Sequence, residues 1–182
     1  MRKLIHAEIL ERRLTPEEAL ASARHPVIGV LENVRSLYNV GSCFRTADAM
    51  LLERLVLTGY TPAPPRSEIA KTALGATETV PWEHEPDAIA AIRRLRDEGV
   101  AVYALEITEG SAPIDEIAAL RFPAALVVGN EIAGVSQAVL EHCDGALEIP
   151  MYGVKHSLNV AVAFGIGVWE LVRAYRTRAT PR

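Results

Sequence analysis

The stretch NVRSLYNVGSCFRTADA, residues 33–49, follows a short apolar run at residues 27–31 and leads into a helical pattern. The apolar run has no polar face, as expected for a parallel strand that helices cover above and below. Similar runs alternate with amphipathic stretches along the chain, at residues 55–58, 101–105, 125–128 and 146–149. This alternation predicts a single α/β domain whose parallel sheet is flanked by helices.

Helical patterns occupy the intervals between these runs. They are expected at residues 41–50, 86–97, 136–142 and 157–175. Another helix is expected before the first strand, because Thr15 offers an N-cap, Pro16 suits the first helical position and Glu18 stands three residues after the cap. We therefore expect residues 1–25 to form an N-terminal helical extension and residues 26–182 to form the main domain.

The composition is that of a globular protein. The 182 residues are 49% hydrophobic and 23% charged, and the net charge of −4 argues against a protein that coats nucleic acid non-specifically. No uncharged apolar run reaches the roughly 18–20 residues of a membrane span, and the first residues lack the apolar stretch of a secretory signal. Cys43 and Cys143 share no close spacing, so neither a disulfide nor a zinc site is expected. These features favour a cytoplasmic protein.

Common motifs of nucleotide and metal enzymes are absent from the sequence. GxGxxG does not follow the first strand, and GxxxxGK[ST], HExxH and GxSxG do not occur. The missing motifs argue against a dinucleotide-binding Rossmann enzyme and against a P-loop NTPase, and no metal is expected. Three other polar segments lie just beyond predicted strands, where open α/β sheets bind ligands.

The first polar segment is residues 33–49. We expect Asn39 to cap the helix that follows, with Arg45 in the first or second turn. A helix N-terminus beside an arginine suits an anion such as a phosphate. A well-capped helix that carries a surface arginine fits the same residues.

The second polar segment is VVGNEIAGVS, residues 127–136. The missing side chain of Gly129 predicts that a ligand approaches the backbone there. Glu131 follows in the loop tip, where it either serves a ligand or caps the helix expected near Ser136.

The third polar segment is IPMYGVKHSLNVAVA, residues 149–163. We expect Ser157 to cap the last helix and Asn159 to lie in its first turn. Gly165 and Gly167 lower helix propensity, so they predict close packing against another helix.

The end of the chain is basic. It contains four arginines, Arg173, Arg176, Arg178 and Arg182. They either bind phosphates or belong to a solvated helix terminus, where their charge offsets the helix dipole.

Together the three segments resemble the signature motifs of the SPOUT class of RNA methyltransferases, in its SpoU/TrmH branch. The motifs occur in order as N-(x)5-N-V-G-(x)3-R-T-A, V-V-G-N-E-(x)2-G-V-S and I-P-M-(x)5-S-L-N-V. KTALGA at residues 71–76 and ALE at 104–106 also look like family features. The resemblance implies a deep C-terminal trefoil knot, a homodimer with an active site completed across the interface, and RNA as substrate.

The resemblance also implies that S-adenosylmethionine binds in the knot, mostly through backbone groups. On this sequence the cofactor-binding residues would be Leu105, Glu106, Gly129, Ile149, Met151, Ser157 and Leu158. The catalytic residues would be Arg45, Asn39, Glu131, Ser157 and Asn159. RNA-binding residues would be Arg173, Arg176, Arg178 and Lys155.

The expected activity is methyl transfer to a ribose 2′-hydroxyl of tRNA or rRNA. RNA base methylation within the same class and a non-catalytic RNA-binding module of this fold stay open as alternatives. A third alternative is an unrelated α/β enzyme that binds a small anion at the same helix N-termini.

Overall fold

The computed structural model describes residues 1–116 and 120–179, and within them it contains seven strands and eight helices. The strands are β1 (His25–Glu32), β2 (Leu52–Thr58), β3 (Trp82–Glu85), β4 (Ala101–Leu105), β5 (Ala112–Pro113), β6 (Ala124–Val128) and β7 (Gly145–Glu148). The helices are α1 (His6–Leu10), α2 (Pro16–Ala21), α3 (Leu37–Ala49), α4 (Ser67–Ala73), α5 (Ala76–Thr79), α6 (Ala88–Asp97), α7 (Gln137–Leu140) and α8 (Val160–Ala179).

All seven strands form one parallel sheet in the order β3-β2-β1-β6-β4-β7-β5. Alternate residues of β1 pack into two different hydrophobic cores, one on each face of the sheet. Val27 and Leu31 pack with Phe44 of α3 and Phe164 of α8, whereas Ile28 packs on the other face with α6 and α7. Both faces of the sheet are therefore buried, and the predicted α/β class is confirmed.

The five predicted strands are confirmed as β1, β2, β4, β6 and β7. β3 and β5 were not predicted, and they are the two edge strands of the sheet. β3 has the sequence WEHE and none of its residues is fully buried. An edge strand needs no continuous apolar run, so it lacks the signal that revealed the central strands.

Two predicted helix caps are wrong. α3 begins at Leu37 because Ser36 caps it, accepting a hydrogen bond from the backbone N of Asn39 over 3.3 Å. Asn39 is therefore inside the first turn. Similarly, α8 begins at Val160 and Ser157 lies outside the helix. Each of these two helix starts has two possible capping residues within three positions, Ser36 and Asn39 for α3 and Ser157 and Asn159 for α8. In both cases the cap is the residue that was not predicted.

Asn159 is the residue that caps α8. Its Oδ1 accepts hydrogen bonds from the backbone N of Ala161 over 2.9 Å and of Val162 over 3.3 Å. The predicted cap at Thr15 is confirmed, because its Oγ1 accepts a bond of 3.2 Å from the backbone N of Glu18.

The glycines of α8 do not both pack as expected. A Cβ on Gly167 would lie 2.4 Å from Leu126 Cδ2, so this glycine lets the helix pack closely on the sheet rather than on another helix. A Cβ on Gly165 would meet nothing within 4 Å in the chain. Among the described helices, none is both long enough and apolar enough to cross a membrane.

Candidate active site

A cavity of about 370 Å³ lies at the carboxyl ends of β4, β6 and β7. A volume of this size is within the range of small-molecule sites in proteins. All the residues that the sequence predicted to bind a cofactor line this one cavity, namely Leu105, Glu106, Gly129, Ile149, Met151, Ser157 and Leu158. The cavity therefore joins loops that lie up to 53 positions apart in the sequence, from Leu105 to Leu158.

Glu131 joins the second polar segment to the first. Its Oε2 accepts a hydrogen bond from the backbone N of Arg35, and its Oε1 accepts bonds from the backbone N of Ser36 and from Asn39 Nδ2, each over 2.9 Å. Burial alone would raise the pKa of the Glu131 carboxyl, but these hydrogen bonds outweigh it and hold the pKa below its ordinary value. Glu131 is thus an ionised group that fixes the entry to α3.

Asn159 joins the third polar segment to the same group. Its Nδ2 donates to Asn39 Oδ1 over 3.1 Å, while its Oδ1 caps α8. Asn39 therefore donates to Glu131 and accepts from Asn159. One chain of side-chain hydrogen bonds therefore connects residues of all three polar segments.

Arg45 and Ser157 do not take part in this chain of hydrogen bonds. Arg45 is exposed, and within residues 1–116 and 120–179 its guanidinium has no hydrogen-bond or ion-pair partner. It lies seven residues after Tyr38, so the two exposed side chains share one face of α3. Ser157 is exposed at the cavity wall. The structure thus brings Asn39, Glu131 and Asn159 together and leaves the Arg45 head group open to solvent.

Gly129 is required for a different reason than the sequence suggested. A Cβ there would lie 2.1 Å from the backbone carbonyl of Gly134, so the space is taken by the loop itself and not by a ligand. Gly134 has a positive φ of 68°, and a Cβ on it would meet Glu106 Oε2 at 2.2 Å. Glu106 Oε2 accepts a hydrogen bond from the backbone N of Val135 over 2.9 Å. The two glycines let the loop fold tightly onto Glu106.

A buried carboxylate that was not predicted from the sequence lies under this loop. Glu32 is 3% exposed at the end of β1, and its two oxygens accept hydrogen bonds from the backbone N and the Oγ of Ser136 over 3.0 and 2.5 Å. The sequence feature that could have indicated this group is a charged residue, Glu32, directly at the end of an apolar strand. Ser136 also caps α7, so Glu131 does not have that role.

The predicted RNA-binding arginines have mixed environments. Arg173 pairs with Glu170 over 2.7 Å. The Arg178 guanidinium lies over the ring of Phe122 at 5.7 Å and donates to the backbone O of Leu120. Arg176 and Lys155 are exposed, and Arg182 lies outside the described residues. Two of these cations therefore have partners within the chain.

The parallel sheet and the site beyond its carboxyl ends define an α/β protein that binds its ligand at the edge where the loops of neighbouring strands meet. Residues 26–169 match the SpoU rRNA Methylase family. The chain belongs to this family.

Curated relatives are similar over most of the chain. It is 34% identical over 158 residues to a 23S rRNA (guanosine-2'-O-)-methyltransferase RlmB of Vibrio vulnificus, and 36% identical over 163 residues to that of Haemophilus influenzae. Each match covers 86% of this chain and 63% of the relative, so the chain spans less than two thirds of their length.

Solved structures agree in fold. The TrmH/SpoU tRNA modifying enzyme of A. aeolicus superposes with a TM-score of 0.79 at 28% identity, and the match covers 95% of this chain and 85% of that chain. An AdoMet-bound rRNA methyltransferase from Sinorhizobium meliloti gives a TM-score of 0.76 at 28% identity, covering 83% and 57%.

Proposed function

We propose that this protein transfers a methyl group from S-adenosylmethionine to a ribose 2′-hydroxyl of RNA. The observation that carries the proposal is the hydrogen-bonded group of Glu131, Asn39 and Asn159 beside a cavity that contains every predicted cofactor-binding residue. Relatives named for guanosine 2'-O-methylation of 23S rRNA support ribosomal RNA as the substrate.

The chemistry of the cavity fits S-adenosylmethionine. Three acidic residues are among those that line it, Glu106, Glu131 and Glu148, and their negative charge favours a cationic ligand. Val128 and Leu147 add apolar surface to the wall. When bound, the cofactor supplies an electrophilic methyl group on its positively charged sulfur. Backbone groups of the loops at residues 105–107, 129–134 and 149–158 would hold it.

The residues of the site have distinct roles in this proposal. A guanidinium has a pKa above about 12 and does not act as a general base, so Arg45 instead holds an RNA phosphate and offsets the charge that develops on the 2′-oxygen. The hydroxyl proton leaves to the phosphate or to water. Glu131 already accepts three hydrogen bonds, so it is a positioning residue that fixes Asn39. Ser157 and Asn159 contact the nucleotide.

The proposal includes a homodimer. Four exposed apolar side chains form a stripe that starts in the loop before α8 and continues along the helix. They are Leu158 in the loop and Val162, Ile166 and Trp169 on α8, with exposed fractions of 41%, 52%, 37% and 56%. The spacing of four and three residues puts Val162, Ile166 and Trp169 on one face of the helix. Leu158 also lines the cavity, so a second copy seated on the stripe would adjoin the site. The trefoil knot implied by the resemblance belongs to the same proposal.

Methyl transfer to defined RNA tests the activity. The purified protein is incubated with S-adenosylmethionine labelled in its methyl group and with unmodified 23S rRNA transcript or bulk tRNA, and the product is then hydrolysed in alkali. A methylated ribose resists cleavage, so the label is expected in a dinucleotide from 23S rRNA. Label in mononucleotides would indicate base methylation instead. Binding of cofactor and RNA without transfer would indicate a non-catalytic module.

A further inference from the structure

Tyr60 lies in the loop after β2 and presents an aromatic ring to solvent, with 60% of the residue exposed. Its backbone and its side-chain hydroxyl nevertheless both make hydrogen bonds within the chain. Its backbone N donates to Asn33 Oδ1 over 3.2 Å, and its hydroxyl accepts a hydrogen bond from Asn130 Nδ2 over 3.0 Å. An exposed tyrosine held in this way has lost most of its conformational freedom before any ligand arrives.

The neighbours of Tyr60 fix the loop that carries it. Gly59 has a φ of +63°, and a Cβ on it would lie 2.0 Å from Asn33 Oδ1, so any other residue would strain the backbone and displace the Asn33 side chain that holds Tyr60. Thr61 is 2% exposed, and its Oγ1 donates to the backbone O of Leu31 over 2.9 Å and accepts from the backbone N of Val34 over 3.0 Å. The ring is therefore presented on a rigid support.

The same contacts place Tyr60 beside the catalytic loops. Asn130 directly precedes Glu131, and its Nδ2 also donates to the backbone O of Asn33 over 3.0 Å. Asn33 lies two residues before Arg35, whose backbone N bonds to Glu131 and whose side chain is exposed. The exposed ring of Tyr60 is thus hydrogen-bonded to the residue that directly precedes Glu131, and the exposed Arg35 lies on the neighbouring loop.

We propose that Tyr60 is a stacking platform for a base of the RNA close to the ribose that is methylated. The inference rests on the proposed function for its ligand, a nucleotide of RNA. Aromatic rings bind bases by stacking, and exposed cations beside them hold the backbone phosphates. The hydroxyl bond to Asn130 orients the ring, and the ring itself makes the contact.

Substitutions that separate the ring from its hydroxyl test this role. Tyr60→Leu removes the ring, Tyr60→Phe keeps it and removes the bond to Asn130, and Leu20→Ala removes an equally exposed apolar side chain, 60% exposed, from α2. The dissociation constant for 23S rRNA transcript is measured for each variant, with KM and kcat for methyl transfer and the affinity for S-adenosylmethionine by calorimetry.

We expect Tyr60→Leu to weaken RNA binding about 5- to 150-fold, the range of one base–aromatic stack. Its kcat at saturating RNA and its affinity for S-adenosylmethionine should stay close to wild type. Tyr60→Phe should bind RNA almost as well as wild type, because the ring is kept. Irradiation at 254 nm should cross-link the RNA to Tyr60, as located by mass spectrometry of the digested complex.

Equal losses in Tyr60→Phe and Tyr60→Leu would overturn the proposal, because they would assign the effect to the hydrogen bond with Asn130. Unchanged RNA affinity in Tyr60→Leu, or an equal loss in Leu20→Ala, would overturn it too. Failure of the proposed function has a different signature. Wild-type protein that binds RNA through Tyr60 and transfers no methyl group would refute the activity and support the stacking contact.

Discussion

At the scale of single residues, the three donors to Glu131 decide what a substitution does. A carboxylate only accepts hydrogen bonds, whereas the carboxamide of Glu131→Gln presents an N–H₂ group to at least one of the donors from Arg35, Ser36 and Asn39. We expect this variant to unfold at a lower temperature than wild type at pH 7 and to lose most of its methyl transfer. Glu17→Gln, on an exposed position of α2, is the control and should change neither property.

The lowered pKa of Glu131 gives this comparison a pH dependence. A carboxyl whose pKa is lower in the folded state contributes stability above its ordinary pKa of 4.5, and the contribution is lost as the pH falls through the lowered value. The difference in melting temperature between wild type and Glu131→Gln should therefore be full at pH 6–7 and shrink below pH 4.5. A difference that grows on acidification would contradict the assigned contacts. Because Glu131 is exposed, solvent screens the effect.

Arg45 is predicted to matter for activity and not for stability. Its side chain is exposed and has no polar partner among the described residues, so Arg45→Lys should leave the melting temperature unchanged. A lysine keeps the charge but cannot form the two parallel hydrogen bonds of a guanidinium to a phosphate. We expect kcat for methyl transfer to fall at least tenfold, with unchanged affinity for S-adenosylmethionine. Turnover near the wild-type value would rule out the bidentate phosphate contact. Arg13→Lys is the matched exposed control.

At the scale of the elements, the start of α8 gives a prediction about stability. Asn159 accepts hydrogen bonds from two backbone N–H groups of the first turn, so Asn159→Ala should lower the free energy of unfolding by about 1 kcal/mol. The loss of the bond to Asn39 adds to this effect. Ser157→Ala should cost much less, since the structure gives Ser157 no capping bond. Urea unfolding measures both variants. A larger loss in Ser157→Ala would mean that α8 begins earlier in the chain.

The start of α8 also shows which features of the structure could not be predicted from the sequence. The apolar strands were found because burial on both faces leaves a continuous signal, as in β1 and β6. The cap of α8 was missed because Ser157 and Asn159 are both good caps, and only the path of the preceding loop selects between them. Likewise, the three loops of the site were identified, but the bond from Asn39 to Glu131 joins positions 92 residues apart. Such a pairing depends on strand order, which local patterns do not contain.

At the scale of the whole molecule, the apolar stripe of α8 begins at the cavity and continues away from it. Leu158 is both the first residue of the stripe and part of the cavity wall. A contiguous exposed apolar surface of this kind marks an interaction site, and burying it against a second copy removes it from water. A dimer through α8 would therefore link assembly to cofactor binding. We therefore expect a substitution that breaks the dimer to weaken binding of S-adenosylmethionine as well.

Val162→Arg tests this link, because Val162 is 52% exposed in the middle of the stripe and an arginine there puts a charge into the proposed interface. Wild-type protein should have the mass of two 19.8 kDa chains by light scattering, 39.6 kDa, and the variant that of one. Far-UV circular dichroism should stay unchanged, since the side chain faces solvent in the single chain. Affinity for S-adenosylmethionine should fall with the loss of the dimer. Leu20→Arg places the same charge on an exposed position of α2, and it should remain dimeric and bind the cofactor as wild type does. A monomeric wild-type protein that binds S-adenosylmethionine fully would refute both the dimer and its coupling to the site.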